Sequence, residues 1–287
     1  MAEIMRRPVA VSVHVLGSFT VSVEGATVQE LARLPTSVLA LLSMGHDNVV
    51  ATSDLIEEIW PRDPSKNTKN TLQAYVMQIR RALDRALRTA GSTGGCTDIL
   101  TTVGEGYRLN TVGGEVDFLQ FREDLGNGRR ALSRGAVETA SAHFRDALDR
   151  WKGTPWAGVS TTPKLDASAS RLHEEWLLCV ESWVECEFRR GRYQEILPLL
   201  AECLVQYPHN ETLCSRYMWA LNRAGRRVEA KGAYDALRMA LAREDLKPSA
   251  ALSRLLRSIR DESASVGTAS GPLTEELACG DWSLHSA

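Results

Sequence analysis

The sequence predicts two folds in tandem: an α+β winged helix-turn-helix at the N-terminus, then an all-α tetratricopeptide-like helical array. Three observations carry this. A basic, amide-rich amphipathic helix runs from Lys66 to Leu83. Two strand-like segments flanking Gly104-Glu105-Gly106 follow it. From Asp117 onward strand patterning almost disappears, and a Gly-led helix start at Gly191 returns 34 residues later at Gly225.

Taken in order, Val9, Val11, Val13 and Val15 alternate on one face, which is the period of a strand. Gly17-Ser18 turns it into a second strand, Phe19 to Val23, and Glu24-Gly25 turns that into a third over Thr27 to Leu31. The result is a small antiparallel meander. Pro35-Thr36-Ser37 then opens a helix that ends near Gly45, since Pro and Ser/Thr suit the first helical positions. Val49-Val50-Ala51 reads as a short strand. Thr52-Ser53-Asp54 caps the helix Leu55 to Trp60, with Leu55, Ile56, Ile59 and Trp60 inward and Pro61 as the stop.

Pro64 and Ser65 mark the break before the basic helix, and Thr68 or Asn70 supplies its cap. Leu72, Val76, Ile79 and Leu83 recur at helical spacing and form its apolar face. At about 100° per residue, Asn70, Ala74, Met77, Gln78, Arg81 and Arg85 take the opposite face, with Gln73 and Arg80 on the flank. No Asp or Glu interrupts the helix before Asp84. Amides and guanidinium groups can bond base edges in two places at once. Alone, this pattern fits an ordinary amphipathic helix with a solvated basic face better than a reading helix. The segment Ile99 to Leu109 decides between the two, because a basic helix followed by a β-hairpin is the reading half of a winged helix. Such a helix enters the major groove while the hairpin rests on the adjacent backbone or minor groove.

The 287 residues suffice for two domains with separate cores, and the join falls in the Gly-containing stretch 110–116. This places a DNA-binding domain at 1–112, a helical domain at 117–262 and a Ser-, Gly- and Ala-rich tail at 263–287 that reads as disordered. No apolar run approaches the roughly 18 residues of a membrane span, and no signal-peptide core follows Arg6-Arg7, so a cytoplasmic protein is expected, without membrane contact. Net charge is −2. Residues 1–112 carry eleven basic and eleven acidic side chains, whereas 66–88 carry six basic ones against Asp84, a local +5. A basic face concentrated on a neutral domain suits specific binding with modest non-specific affinity, which scales with the phosphates neutralised. The six cysteines include no C-x-x-C pair and read as buried free thiols, not as a zinc or redox site.

The helical half repeats itself. Gly191-Arg192-Tyr193 matches Gly225-Arg226-Arg227, Leu200 matches Tyr234, Cys203 matches Leu237, and an earlier unit at Gly135 puts Phe144 and Ala147 at the same offsets. A period of 34 with a turn glycine is the tetratricopeptide pattern: Gly permits the tight turn and a small residue lets two helices approach. Trp151 to Pro163 interrupts the array as a packed loop, and Ser249 to Arg260 closes it with a last helix.

Asn70-Thr71-Leu72-Gln73-Ala74-Tyr75-Val76 leading to Ile79-Arg80-Arg81-Ala82-Leu83 resembles the OmpR-type winged helix. Joined to a helical half containing Arg145 to Gly153 and Ala224-Gly225-Arg226, it resembles the small form of the Streptomyces antibiotic regulatory proteins, whose second half is a bacterial transcriptional activator domain. The resemblance spans roughly residues 9–262. It implies an activator of a secondary-metabolite gene cluster that binds direct repeats in promoter DNA, as a homodimer or as head-to-tail copies, and recruits the RNA polymerase holoenzyme through sigma and other subunits. By position it assigns DNA contacts to Asn70, Gln73, Met77, Gln78, Arg80 and Arg81, phosphate contacts to Lys69 and Arg85, and wing contacts to Thr102, Gly104 and Arg108.

Two positions depart from the family pattern. Leu34-Pro35-Thr36-Ser37, with Arg33 as the only cation nearby, stands where relatives carry basic residues. Met77 stands where a polar or basic reader is usual; it suits a thymine methyl or a protein contact. No G-x-x-x-x-G-K-[ST] is present, so no nucleotide cofactor is expected. Scattered histidines and solvated Glu pairs give no catalytic or metal constellation, so no enzyme is expected. A protein-interaction adaptor built on the helical half and a ligand-gated repressor of the same fold remain the other readings of these residues.

Overall fold

The N-terminal valines pair as their alternation requires. In the computed structural model, which describes residues 9–62 and 67–261, β1 (Val11–His14), β2 (Thr20–Val23) and β3 (Ala26–Thr27) form an antiparallel sheet in that order. Val11 faces Val23 and Val13 faces Val21, and all four are buried. The third strand is shorter than the expected Thr27 to Leu31. Val28 N–H still reaches the Val21 carbonyl at 2.8 Å, but the backbone then turns left-handed at Glu30 (φ 61°), and pairing stops.

Helix α1 (Arg33–Gly45) and helix α2 (Thr52–Ile59) flank β4 (Val50–Ala51) and precede α3 (Thr68–Thr89). Two expected caps do not form. Ala51, held in β4, is the N-cap of α2, so Thr52 and Ser53 fall inside the helix and Asp54 sits in its first turn, where a carboxylate favours the dipole. Asn67 is the N-cap of α3 without a side-chain bond; Thr68 is buried and Asn70 lies within the helix. The break expected at Pro64 and Ser65, and Lys66 with it, lies outside the described residues. Of the α2 residues expected inward, Leu55 is fully buried, whereas Ile56, Ile59 and Trp60 are half-buried. Trp60 stacks on Tyr75 of α3 with ring centroids 5.8 Å apart and planes at 18°.

The short α4 (Cys96–Ile99) leads into β5 (Leu100–Val103) and β6 (Gly106–Leu109). The sequence pairs only the two strands of this hairpin and leaves Val49-Val50-Ala51 as a separate short strand. The structure adds β4, giving a three-stranded antiparallel sheet in the order β4-β6-β5. Gly106 is what admits β4: a Cβ there would lie 2.6 Å from the Val50 carbonyl oxygen and 2.7 Å from a Val49 methyl.

The remaining helices are α5 (Asp117–Ser133), α6 (Val137–Asp149), α7 (Pro163–Arg189), α8 (Tyr193–Gln206), α9 (Glu211–Arg223), α10 (Arg227–Ala242) and α11 (Ala250–Asp261). The three turn glycines adopt one conformation, with φ of 75° at Gly135, 70° at Gly191 and 77° at Gly225, a region that L side chains rarely enter. Between α5 and α6, Gly128 lets the Phe144 ring approach so closely that a Cβ would lie 2.6 Å from it. Cys179, Cys186, Cys203 and Cys214 are buried free thiols as expected, while Cys96 is half-buried. The tail 263–287, with Cys279, lies outside the described residues.

The chain packs into two compact units. Of the described residues, one contains those up to Arg134 with Ala142–Val180; the other contains Gly135–Ser141 with those from Glu181 to Asp261. The first unit therefore holds the winged helix, α5, most of α6 and the first part of α7. The join 110–116 is tied down within it. Glu115 accepts from Val13 N–H at 2.7 Å, and the Asp117 carboxylate accepts Val15 N–H at 2.8 Å and Leu16 N–H at 3.0 Å. The loop after α6 adds to the same edge: Lys152 N–H reaches Leu16 O at 2.6 Å, Trp156 N–H reaches Val15 O at 2.9 Å, and Phe19 N–H reaches Ala157 O at 2.9 Å. Trp156 is buried against Phe19, so this stretch is a packed loop, as the sequence implies.

Candidate nucleic-acid interface

Helix α3 owes its two faces to its sequence. Leu72, Val76, Ile79 and Leu83 are buried, joined by Ala82, Ala86 and Leu87. The opposite face is open: Asn70, Gln73, Ala74, Met77, Gln78, Arg81 and Arg85 are all exposed, Met77 to 48%. At about 1.5 Å per residue, Lys69 and Arg85 stand about 24 Å apart along it. The face thus offers three amides, Asn70, Gln73 and Gln78, and one thioether among cations, the inventory for bidentate base contacts and a methyl contact.

The wing is held to the helices beside it by named contacts. Thr52 N–H donates to Glu105 O at 2.9 Å, fixing the hairpin turn to the start of α2. Gly104 takes a left-handed φ of 55° in that turn, and Thr102, Gly104 and Glu105 are exposed. Arg108, opposite Thr101 on β5, is half-buried, and its Nε has no partner among the described residues.

The cations nominated by sequence differ in what already binds them. Arg80 is not on the open face. Its Nε and Nη2 donate to Leu100 O at 3.2 and 2.9 Å, and Nη2 also donates to Thr102 Oγ1 at 2.8 Å, so Arg80 and Thr102 are committed to each other. Lys69 Nζ lies 3.8 Å from Glu105 Oε1, and Arg85 Nη2 lies 3.4 Å from Glu30 Oε2. Arg88 Nε returns to Asp84 O at 3.2 Å. Arg81 has no hydrogen-bond or ion-pair partner among the described residues. Arg33, the lone cation near the start of α1, is bonded to the Ser160 hydroxyl.

Sequence reasoning missed Glu30 and Glu105 as partners of the reading helix, because neither is a helical neighbour of the cation it meets. It also missed the anchor below the helix, where Asp84 Oδ1 accepts Cys96 N–H at 3.2 Å. Burial and the nearby Asp84 push the Cys96 thiol up to about 11. Among the described residues no group of three or more His, Cys, Asp or Glu side chains is placed to hold a metal ion, and no helix is long and apolar enough to cross a membrane.

Comparison with known proteins gives two family matches that together span both halves. Residues 27–109 match the family described as "Transcriptional regulatory protein, C terminal", and residues 116–260 match "Bacterial transcriptional activator domain". The regulatory protein DnrI of Streptomyces peucetius is 34% identical over 248 residues, 86% of this chain and 91% of its own length. The transcriptional regulator RedD of Streptomyces coelicolor is 25% identical over 278 residues, 96% of this chain and 78% of its own. A solved structure of Mycobacterium tuberculosis EmbR, in complex with a low-affinity phosphopeptide, superposes with a TM-score of 0.74 at 23% identity, covering 89% of this chain and 65% of that one, and shows the shared fold.

Proposed function

The chain belongs to the Streptomyces antibiotic regulatory protein family, and from that premise we propose that it activates a secondary-metabolite gene cluster by binding direct repeats in promoter DNA and recruiting RNA polymerase holoenzyme. It does so in the cytoplasm, by binding and not by catalysis. The observation that supports this best is the open face of α3: Asn70, Gln73, Met77, Gln78 and Arg81 point outward together, with a wing fixed beside them. In this reading Gln78, Gln73 and Arg81 contact base edges, Met77 meets a thymine methyl, and Lys69 and Arg85 take phosphates on either side. Arg80 positions the wing through Leu100 and Thr102 instead of touching DNA.

The test is recovery, from the source organism's fragmented genomic DNA, of the pieces the protein retains at two salt concentrations. Enrichment of a few promoter fragments carrying a short direct repeat, weakening steeply with salt, is the expected result. On those fragments Gln78→Ala and Arg81→Ala each weaken binding by about 1–3 kcal/mol. Retention of no fragment at either salt overturns the reading and turns the search to a protein partner of residues 117–262. Loss of transcription from an enriched promoter in vitro, on omitting the protein, tests activation separately from binding.

A further inference from the structure

Two exposed carboxylates sit where a DNA-reading surface gains nothing from them. Glu105 is at the tip of the wing, with its side chain 92% exposed, and it meets Lys69 near the start of α3. Glu30, its side chain 76% exposed, meets Arg85 about 24 Å further along the same helix. Neither is there for the backbone's sake. Glu30 has a φ of 61°, where Gly or Asn is the residue the chain conformation favours. Glu105 occupies a two-glycine turn that any small polar residue would complete. Nor does either add much to stability, since exposed ion pairs contribute little. What the pair does do is set a negative charge against Lys69 and Arg85 of the reading helix.

We propose that Glu30 and Glu105 are specificity-determining residues: they act as internal counter-ions that occupy Arg85 and Lys69 until correctly placed phosphates displace them. This rests on α3 being the DNA-reading helix. A weak, exposed pair is suited to the task, because it yields to a phosphate held in register by base contacts. On DNA of the wrong sequence the helix sits loosely, the phosphates do not meet the two cations squarely, and the carboxylates keep them. Lys69 and Arg85 then release few condensed counter-ions, and non-specific affinity stays low. Arg81, which has no such partner among the described residues, is free to engage in either case.

The test uses the full-length protein with Glu105→Gln, Glu30→Gln and the double variant, which keep side-chain size and remove charge. Binding is followed by fluorescence anisotropy on a mixed-sequence duplex and on a promoter fragment enriched from the genome, across a salt series. Each single variant tightens binding to the mixed-sequence duplex by roughly two- to fivefold at 0.1 M salt, and steepens the slope of log K against log salt by about 0.9. The double variant steepens it by about 1.8. The promoter fragment gains less, so the ratio of specific to non-specific binding falls. In a Lys69→Ala background Glu105→Gln has no effect, and in an Arg85→Ala background neither has Glu30→Gln.

Unchanged affinity and slope in both single variants overturn the proposal. So does tightening that persists without Lys69 or Arg85, since the carboxylates would then repel DNA directly and hold nothing. If the unmodified protein binds neither duplex at low salt, the DNA-reading role of α3 fails, and the proposal with it. That outcome is distinct from the other two because it appears before any substitution is made.

Discussion

Arg80→Ala separates a residue that touches DNA from one that positions the residues that do. In the structure the guanidinium makes two hydrogen bonds to Leu100 O, at 3.2 and 2.9 Å, and one to Thr102 Oγ1, at 2.8 Å. Hydrogen bonds from a charged group are worth about 1.5–3 kcal/mol when buried. Here Arg80 is half-buried and Thr102 exposed, so water competes, and a loss of about 1–2 kcal/mol is expected for the variant. At about 2–4 °C per kcal/mol for a chain of this size, the melting transition falls by roughly 2–8 °C. Binding to a promoter fragment also weakens, because the wing is no longer fixed against α3. The slope of log K against log salt stays the same, because no phosphate contact has been removed. Thermal melts and anisotropy titrations over a salt series measure both. Arg81→Ala is the internal control and gives the opposite pattern: an unchanged melt, with the loss carried by binding. A slope flattened by about 0.9 in Arg80→Ala, with an unchanged melting temperature, would refute the positioning role and return Arg80 to the set of phosphate contacts.

Gly106→Ala forces a methyl to within 2.6 Å of the Val50 carbonyl, so β4 and β6 must separate; a destabilisation of about 1–3 kcal/mol, read by thermal or urea denaturation, is expected from such overpacking. Asp117 responds to pH. Burial raises its carboxyl above the usual range, against the lowering influence of the Leu16 and Val15 N–H groups. A carboxyl with a raised folded-state pKa binds protons more tightly folded than unfolded, so its contribution to stability falls as pH rises through that window. The unmodified protein therefore gains melting temperature relative to Asp117→Asn as the pH is lowered from 7 through the folded-state pKa toward the ordinary value of 3.8; a relative loss over the same range would show that the N–H contacts outweigh burial. Finally, burial pushes the thiols of Cys203 and Cys214 up to about 12 and that of Cys186 up to about 11. With almost no thiolate at pH 7.5, these three stay unmodified by iodoacetamide in the native protein and react once it is denatured, as peptide mass spectrometry would read.

Periodicity made most of the fold legible. The valine alternation gives β1 and β2, the four-three-four spacing gives the buried face of α3, and the glycines at 191 and 225 mark helix turns that adopt φ of 70° and 77°. What periodicity cannot carry is the pairing of segments far apart in sequence. Val50 and Ala51 look like an isolated scrap of strand; only their place beside Tyr107 and Gly106 makes them the third strand of the wing sheet. The join at 110–116 reads as a plain linker, yet Gly114 passes so close to β1 that a Cβ would lie 1.9 Å from the Val11 carbonyl oxygen. A glycine demanded by close approach and a glycine in a flexible linker are the same letter.

The interface shows the same limit in its charges. Residue type and helical angle identify Lys69, Arg80, Arg81 and Arg85 as cations on or beside one face, and all four look alike at that level. Tertiary contacts divide them. A strand carbonyl and a wing hydroxyl hold Arg80; carboxylates from two different loops hold Lys69 and Arg85; Arg81 is left without a partner among the described residues. A count of basic residues therefore overstates the charge this helix can bring to a phosphate backbone before any rearrangement. Local charge summed over 66–88 is +5, but the part available without breaking an internal contact is smaller, and the amides and Met77 between the cations are the groups left to read the sequence. A surface built this way discriminates by what must be exchanged on binding, since each held cation reaches DNA only where a better partner replaces the one it has.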